Sequence, residues 1–227
     1  MDRRKLLGAT LAAGAGVGAG MTATPGVAHA ATPTPPGRLR VQLIVFDGVD
    51  ELDFIGPVDV FGIARKLKGD VQATLLRPGG TGLVTGSHGT RFAAEERWAP
   101  EEADVILVPG GRLDEPRRAL PQQLTAARRP GLVIAGVCTG VRLLAEAGIT
   151  AGRPCVTHHE FLQEVRDKGG VIKKARVVDD GDLVTAGGIT SGIDLALWLV
   201  ERYCGAELAL RVEEIMEYER RGTVWHA

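Results

Sequence analysis

Residues 132–140, Leu-Val-Ile-Ala-Gly-Val-Cys-Thr-Gly, decide the fold that we expect for this chain. The run from Leu132 to Val137 is uncharged and rich in β-branched side chains, which is typical of a strand buried on both faces of a sheet. Apolar residues then recur at helical spacing between 143 and 147. The stretch therefore predicts a strand, a sharp turn and a helix, with Cys138 at the corner between them.

The Cys138 corner has the pattern of a nucleophile site. Residues 136–140 (GVCTG) are a cysteine form of the G-x-S-x-G nucleophile elbow, in which glycines let a strand and a helix approach closely. A thiol that faces a helix N-terminus should have a pKa below its ordinary value of about 8.5. A structural cysteine that fills space at the end of a core strand explains the same residues equally well.

Composition limits the function classes. The chain has 227 residues, of which 44% are hydrophobic, so it can build one substantial core. Lys and Arg number 27 against 28 Asp and Glu, the net charge is -1, and no basic tract is present, so nothing predicts binding to nucleic acid. A small-molecule substrate is the expected partner.

The N-terminal residues read as a targeting segment. Arg3-Arg4-Lys5 precedes an uncharged Ala/Gly-rich run, and Ala28-His29-Ala30 offers a small-x-small cleavage site. We expect residues 1–30 to be a twin-arginine signal peptide, residues 31–38 a Pro-rich linker and residues 39–227 one catalytic domain. The mature protein would then be exported, periplasmic or secreted, without a stable membrane anchor. An uncleaved anchor is the alternative, but so many glycines and alanines make a weakly hydrophobic span.

The cysteines and histidines predict neither a disulfide scaffold nor a metal site. Three cysteines, Cys138, Cys155 and Cys204, leave at least one thiol unpaired and form no C-x-x-C motif. A bridge between Cys155 and Cys204 stays open. His158 and His159 are adjacent, and neighbours on a strand point to opposite faces, so we predict no metal there. Whether His158 lines a pocket also stays open.

The rest of the chain alternates between strand and helix patterns. We predict strands at 39–46, 71–77, 104–109, 132–137 and 153–157, hairpins at 82–92 and 175–185, and helices at 57–68, 116–129, 160–168, 192–203 and 206–218. This alternation predicts an α/β fold, a flavodoxin-like three-layer sandwich with a mostly parallel sheet and helices on both faces. In such folds, sites gather at the carboxyl ends of the strands.

Two groups at those strand ends complete the candidate site. Asp53 ends a predicted acidic loop, residues 47–56, and is the best candidate acid or base, with Asp50 and Glu51 as rivals. A solvated acidic loop is the simpler interpretation.

Gly110 and Gly111 follow the strand at 104–109. The backbone N–H of Gly111 would join that of Thr139 in an oxyanion hole, although a plain strand-ending turn explains the two glycines equally well.

These motifs together resemble the ThiJ/PfpI superfamily of the class I glutamine amidotransferase-like fold, from about residue 39 to residue 218. The resemblance is carried by residues 46–61, 108–111, 136–159 and 179–197. Within the superfamily the chain is most similar to the isonitrile hydratase family. That resemblance implies Cys138, Thr139 and Asp53 as site residues, no histidine triad, no cofactor and a homodimer.

The resemblance also implies a reaction. A lyase of this kind hydrates an isonitrile to an N-substituted formamide through a thioimidate on Cys138, while Asp53, its pKa raised by burial beside the thiolate, moves the protons. Peptidase-like relatives place a histidine directly after the cysteine and amidotransferases need a His-x-Glu pair, and this chain has neither. The alternatives are a glyoxalase or deglycase acting on reactive carbonyls, and a ligand-binding or redox-sensing domain in which Cys138 is reversibly oxidised.

Overall fold

The computed structural model describes residues 37–94, 97–114 and 116–227; the predicted signal peptide and residues 31–36 of the predicted linker lie outside the described residues. The strands are β1 (Arg38–Ile44), β2 (Asp70–Leu76), β3 (Gly82–Thr85), β4 (Arg91–Ala94), β5 (Val105–Val108), β6 (Val133–Val137), β7 (Pro154–Cys155), β8 (Val171–Ile172), β9 (Val177–Asp179), β10 (Leu183–Ala186) and β11 (Trp225–His226). The helices are α1 (Glu51–Lys66), α2 (Leu120–Ala127), α3 (Gly140–Glu146), α4 (Leu162–Asp167), α5 (Ser191–Cys204) and α6 (Ala206–Met216).

Seven of these strands form one central sheet, in the order β11-β9-β10-β6-β5-β1-β2. All neighbouring pairs are parallel except β9 and β10, which form the predicted hairpin. Every residue of β5, β6 and β10 is buried, as uncharged strands covered on both faces should be. The predicted mostly parallel α/β sheet is therefore confirmed.

Helices cover both faces of the sheet. Across the sheet, β2 lies on one side of β1, whereas β5, β6 and β10 follow on the other side. Because crossovers between parallel strands are right-handed, α1 covers one face of the sheet and α2 and α3 cover the opposite face. Helices α5 and α6 pack with α1, and α4 packs with α3. The direction of travel reverses between β1 and β5, which opens a crevice at the carboxyl ends of these strands, where ligand sites form in such sheets.

Helix α1 begins six residues earlier than predicted. Proline favours the first turn of a helix, so the sequence pattern suggested a start at Pro57. In the structure the side chain of Asp50 accepts a hydrogen bond from the Leu52 backbone N–H and caps the helix, and Pro57 lies inside it. The predicted loop at 47–56 is therefore mostly helical, and Asp53 lies in the first turn of α1 rather than at the end of a loop.

The three cysteines are free thiols, so the Cys155–Cys204 bridge left open above is not formed. Cys155 is fully buried in a small apolar cluster with Ala145 and Val165, separate from the main core. Cys204 ends α5 and packs, half-buried, against the main core. In the described part of the chain, no helix is long and apolar enough to cross a membrane.

The close approach of α3 to the end of β5 depends on Gly140. A Cβ atom there would lie 2.2 Å from the backbone oxygen of Val108, a distance no real contact permits. We expect Gly140→Ala to lower the free energy of unfolding by about 1–3 kcal/mol, as overpacking does. Gly62→Ala is the matched control, since its Cβ would meet nothing within 4 Å and α1 should gain about 0.5–1 kcal/mol. Urea unfolding of both variants tests this, and equal effects would contradict it.

Candidate active site

Cys138 lies at the sharp turn predicted between β6 and α3. Its φ is 55°, a left-handed conformation that residues other than glycine rarely adopt. Its backbone N–H donates to the carbonyl oxygen of Gly187 at 2.9 Å, and its own carbonyl accepts from Thr157 Oγ1 at 2.7 Å. Hydrogen bonds on both sides of the residue therefore hold the strained turn in place. A strained backbone conformation persists only when the surrounding structure holds it in this way.

Asp53 reaches this turn from the first turn of α1 and is fully buried. Its Oδ2 accepts a hydrogen bond from the Gly110 backbone N–H at 2.8 Å. Within the part of the chain that the structure describes, Oδ1 has no well-formed hydrogen bond, and the Cys138 thiol is close enough to lower the pKa of the carboxyl weakly. The structure thus brings Asp53 and Cys138 together, as the sequence predicted.

Burial dominates the ionisation of both groups. It raises the pKa of the Asp53 carboxyl to about 7, against the lowering effect of the Gly110 N–H, so the predicted rise is confirmed. Burial, and then the charge of Asp53, raise the pKa of the Cys138 thiol to about 12. The predicted fall is wrong, because the backbone N–H groups of Ile189 and Thr139 stabilise the thiolate less than the loss of water destabilises it.

The carboxyl and the thiol titrate as a coupled pair, since the charge of the Asp53 carboxylate disfavours the Cys138 thiolate, whereas the neutral thiol weakly favours the carboxylate. The pair loses its first proton near pH 7 and its second only near pH 12, so at slightly alkaline pH it holds one proton and one negative charge. Transfer of that proton from sulfur to the carboxylate forms a thiolate without changing the net charge of the buried corner. The arrangement can therefore supply a nucleophile and an acid from the same proton.

The two glycines after β5 hold the pair from the other side. The Gly111 N–H donates to Thr139 Oγ1 at 2.9 Å, so in this structure it holds the Thr139 side chain, and the oxyanion role of Gly111 stays a prediction. Gly110 fits between the two partners, because a Cβ there would lie 2.4 Å from Thr139 Oγ1 and 2.8 Å from Asp53 Oδ2. Thr139 retains its predicted place, with its backbone N–H beside the sulfur.

Sequence reasoning missed three contributors to this site. The backbone N–H of Ile189, after β10, approaches the Cys138 sulfur, and Thr157 fixes the Cys138 carbonyl. The third contributor is the backbone N–H of Gly110, which donates to Asp53. The adjacent Gly187 and Gly188 were the available signal for Ile189, since paired glycines after a strand mark a close backbone approach.

The rival carboxylates have structural roles. Asp50 caps α1 and reaches the pair only through its charge, which raises the pKa of both Asp53 and Cys138. Glu51 accepts hydrogen bonds from the backbone N–H groups of His88 and Thr90 and contacts His88 Nδ1 at 2.8 Å, which fastens the β3–β4 turn to α1.

His158 and His159 do not point to opposite faces of a strand, because they follow β7 instead of lying on it. Their ring centroids are 4.3 Å apart, and the His158 ring packs against Gly188. Among the described residues, no group of three or more His, Cys, Asp and Glu side chains is arranged to hold a metal ion.

Comparisons with known proteins agree with this fold. A model of the DJ-1/PfpI family matches residues 39–202. An isonitrile hydratase of Pseudomonas putida is 33% identical over 186 residues, which are 79% of this chain and 78% of that protein. A deglycase of Thermococcus kodakarensis is 25% identical over 65% of this chain and 89% of its own length. The crystal structure of a ThiJ/PfpI family protein from Pseudomonas syringae superposes with a TM-score of 0.70 at 23% identity, covering 86% of this chain and 85% of that one.

The raised pKa of Asp53 predicts how stability depends on pH. The carboxyl binds its proton more tightly in the folded state, at a pKa of about 7, than in the unfolded chain, so folding stability falls as pH rises through this range. Asp53→Asn removes that loss. The free energy of unfolding of Asp53→Asn minus that of wild type should therefore increase by roughly 2 kcal/mol when the pH is raised from 5 to 8.

Urea unfolding at the two pH values measures this gain. Asp59→Asn, at an exposed position of the same helix, is the matched control and should have a small effect at both. A gain for Asp53→Asn that does not grow with pH would show that the carboxyl ionises normally.

Proposed function

The chain belongs to the DJ-1/PfpI family, and within that family we propose that it hydrates an isonitrile to an N-substituted formamide, with Cys138 as the nucleophile. The observation that carries the proposal is the fully buried Asp53 carboxyl beside the Cys138 thiol, in a turn where threonine, not histidine, follows the cysteine. The terminal carbon of an isonitrile must gain one bond to the nucleophile and one to hydrogen. A carboxyl and a thiol that share one proton can provide both.

The first half of the reaction forms a thioimidate. Asp53 takes the proton of the Cys138 thiol, the sulfur attacks the terminal carbon, and Asp53 returns the proton to that carbon. One S–C bond and one C–H bond form, and the substrate nitrogen keeps a double bond to carbon. The net charge of the buried corner is the same before and after the step, which matters because the side chain of Asp53 is fully buried and bulk solvent does not stabilise a charge there.

The second half releases the product. Asp53 takes a proton from a water molecule that attacks the thioimidate carbon and passes it to the substrate nitrogen. The C–S bond then breaks, and Asp53 transfers the remaining hydroxyl proton to the leaving sulfur, which returns the thiol and leaves the formamide carbonyl. The backbone N–H groups of Thr139 and Ile189 lie beside the sulfur and stabilise its negative charge when it leaves. The sum of both halves is one isonitrile and one water converted to one formamide, without a cofactor.

A deglycase or glyoxalase activity is the second candidate. The similarity to the Thermococcus kodakarensis deglycase favours it, and the same thiol and carboxyl could attack a carbonyl carbon. Product analysis separates the two: isonitrile and methylglyoxal are offered to the purified protein in parallel, and formamide and lactate are quantified. A domain that only binds a ligand, or only senses oxidation at Cys138, would turn over neither compound.

Substitutions of the pair should separate the site from the core. Cys138→Ala should abolish formamide formation, and Asp53→Asn should lower kcat by at least about 100-fold through loss of proton transfer. Cys155→Ala and Cys204→Ala are the matched controls, since both thiols lie in apolar packing and should lose stability rather than turnover. Wild-type turnover by Cys138→Ala would exclude the mechanism.

We also propose that the protein is exported and acts as a homodimer. The Arg3-Arg4-Lys5 segment and the cleavage pattern at Ala28–Ala30 support export, and two-fold pairing is the commonest assembly of soluble enzymes. Sequencing of the exported protein should give an N-terminus at or near Ala31, and light scattering of the same sample should give twice the mass of that chain. An intact Arg3-Arg4 segment on the exported protein would contradict processing, and a monomer at micromolar concentration would contradict the dimer.

A further inference from the structure

A cavity of about 840 Å³ lies beside the candidate active site, at the carboxyl end of β10. We call it the C-terminal cavity, because one of its walls is the segment 221–226. The opposite walls are formed by residues 173–176, which lead into β9, and by residues of the 156–162 stretch. Thr157 and Gly187, which hydrogen-bond to the Cys138 backbone, also line it.

The lining of the C-terminal cavity is positively charged. It includes Lys173, Lys174, Arg176 and Arg221, and no aspartate or glutamate occurs among the described residues that line it. Of these four side chains, Arg176 alone has an ion-pair partner among the described residues, which is Asp194; its Oδ2 accepts a hydrogen bond from the Arg176 Nε at 2.9 Å. The chain as a whole has a net charge of -1, so this concentration of positive charge is local. An anion would be attracted to it.

Apolar surface completes the lining. The apolar residues Val156, Leu162, Ala175, Val224 and Trp225 line the same cavity. Lys173 Nζ lies 4.6 Å from the centroid of the Trp225 ring, and this cation–π contact holds the two side chains together. A cavity with many apolar walls and a few convergent charges is typical of a site for an organic molecule, whereas an inorganic ion would gain nothing from the apolar part.

The walls are anchored before any ligand binds. Asp194, at the start of α5, accepts hydrogen bonds from the Arg221 backbone N–H at 3.0 Å and from the Tyr218 hydroxyl at 3.0 Å. Strand β11 then pairs with β9, and the Ala227 N–H donates to the carbonyl oxygen of Asp179. Because these contacts fix the C-terminal segment, a ligand would not have to order it.

We propose that the C-terminal cavity is a binding site for an organic carboxylate. Lys174 and Arg221, which have no ion-pair partner in the described part of the chain, hold the carboxylate, and the apolar part of the ligand packs between Trp225 and Leu162. A guanidinium and an ammonium together match the two oxygens of a carboxylate. The proposal does not depend on the reaction at Cys138, since it concerns binding to other residues.

Calorimetric titration of the Cys138→Ala protein tests the site without interference from the thiol. The probes are 2-naphthoate and its neutral isostere 2-naphthamide, which share an aromatic body and differ in charge. The carboxylate should bind at least tenfold more tightly. The double variant Lys174→Gln/Arg221→Gln, in the same background, should lose at least tenfold in affinity for 2-naphthoate and leave binding of the amide unchanged.

The double variant Arg65→Gln/Lys66→Gln is the matched control. It changes the net charge by the same amount at two exposed positions in the last turn of α1, so its affinity for 2-naphthoate should equal that of the parent protein. Equal binding of the two probes, no measurable binding of 2-naphthoate at millimolar concentration, or equal losses in the two double variants would each overturn the proposal. Urea unfolding of both variants checks that the compared proteins are folded. We expect both to fold, because the substituted side chains are exposed.

Discussion

The site is organised by one constraint, which is that the Asp53 carboxyl is fully buried, away from bulk solvent. A buried carboxylate must be hydrogen-bonded or must keep its proton. Here one oxygen receives the Gly110 N–H and the other faces a corner that contains the Cys138 thiol. Because the carboxyl can be stabilised neither by solvent nor by a cation, its ionisation is coupled to that of the thiol.

The fold brings together the three chain segments that this constraint needs. Asp53 follows β1, Gly110 follows β5 and Cys138 follows β6, and these strands are neighbours in the sheet. The segments meet where the direction of travel through the sheet reverses, so no helix crosses above them. The positions themselves tolerate little change, since any side chain at Gly110 would collide with Thr139 and with Asp53. Packing at the strand ends therefore fixes the geometry of the pair.

The sequence predicted what depends on local pattern. The uncharged run before Cys138 identified a buried central strand, the glycines around it identified the turn, and the alternation of strands and helices identified the fold class. It failed where the answer depends on contacts between distant segments. The start of α1 is an exception, since the Asp50 cap is local and the pattern favoured Pro57 instead. Elsewhere, the partner of the Gly111 N–H is a side chain 28 residues away, and the pKa of Cys138 depends on how much water the assembled site excludes. The Ile189 N–H beside the sulfur belongs to the same class of long-range contact.

The backbone of Cys138 has a consequence for how this chain can evolve. A residue with a side chain at φ 55° costs roughly 1–2 kcal/mol that glycine would not. Mutation to glycine at position 138 would thus relieve the backbone strain while it deletes the thiol. Relief of strain favours that change, whereas the packing of the buried side chain and selection for the chemistry oppose it. A descendant with glycine at this position would be recognisable as one that has kept the scaffold and lost the reaction.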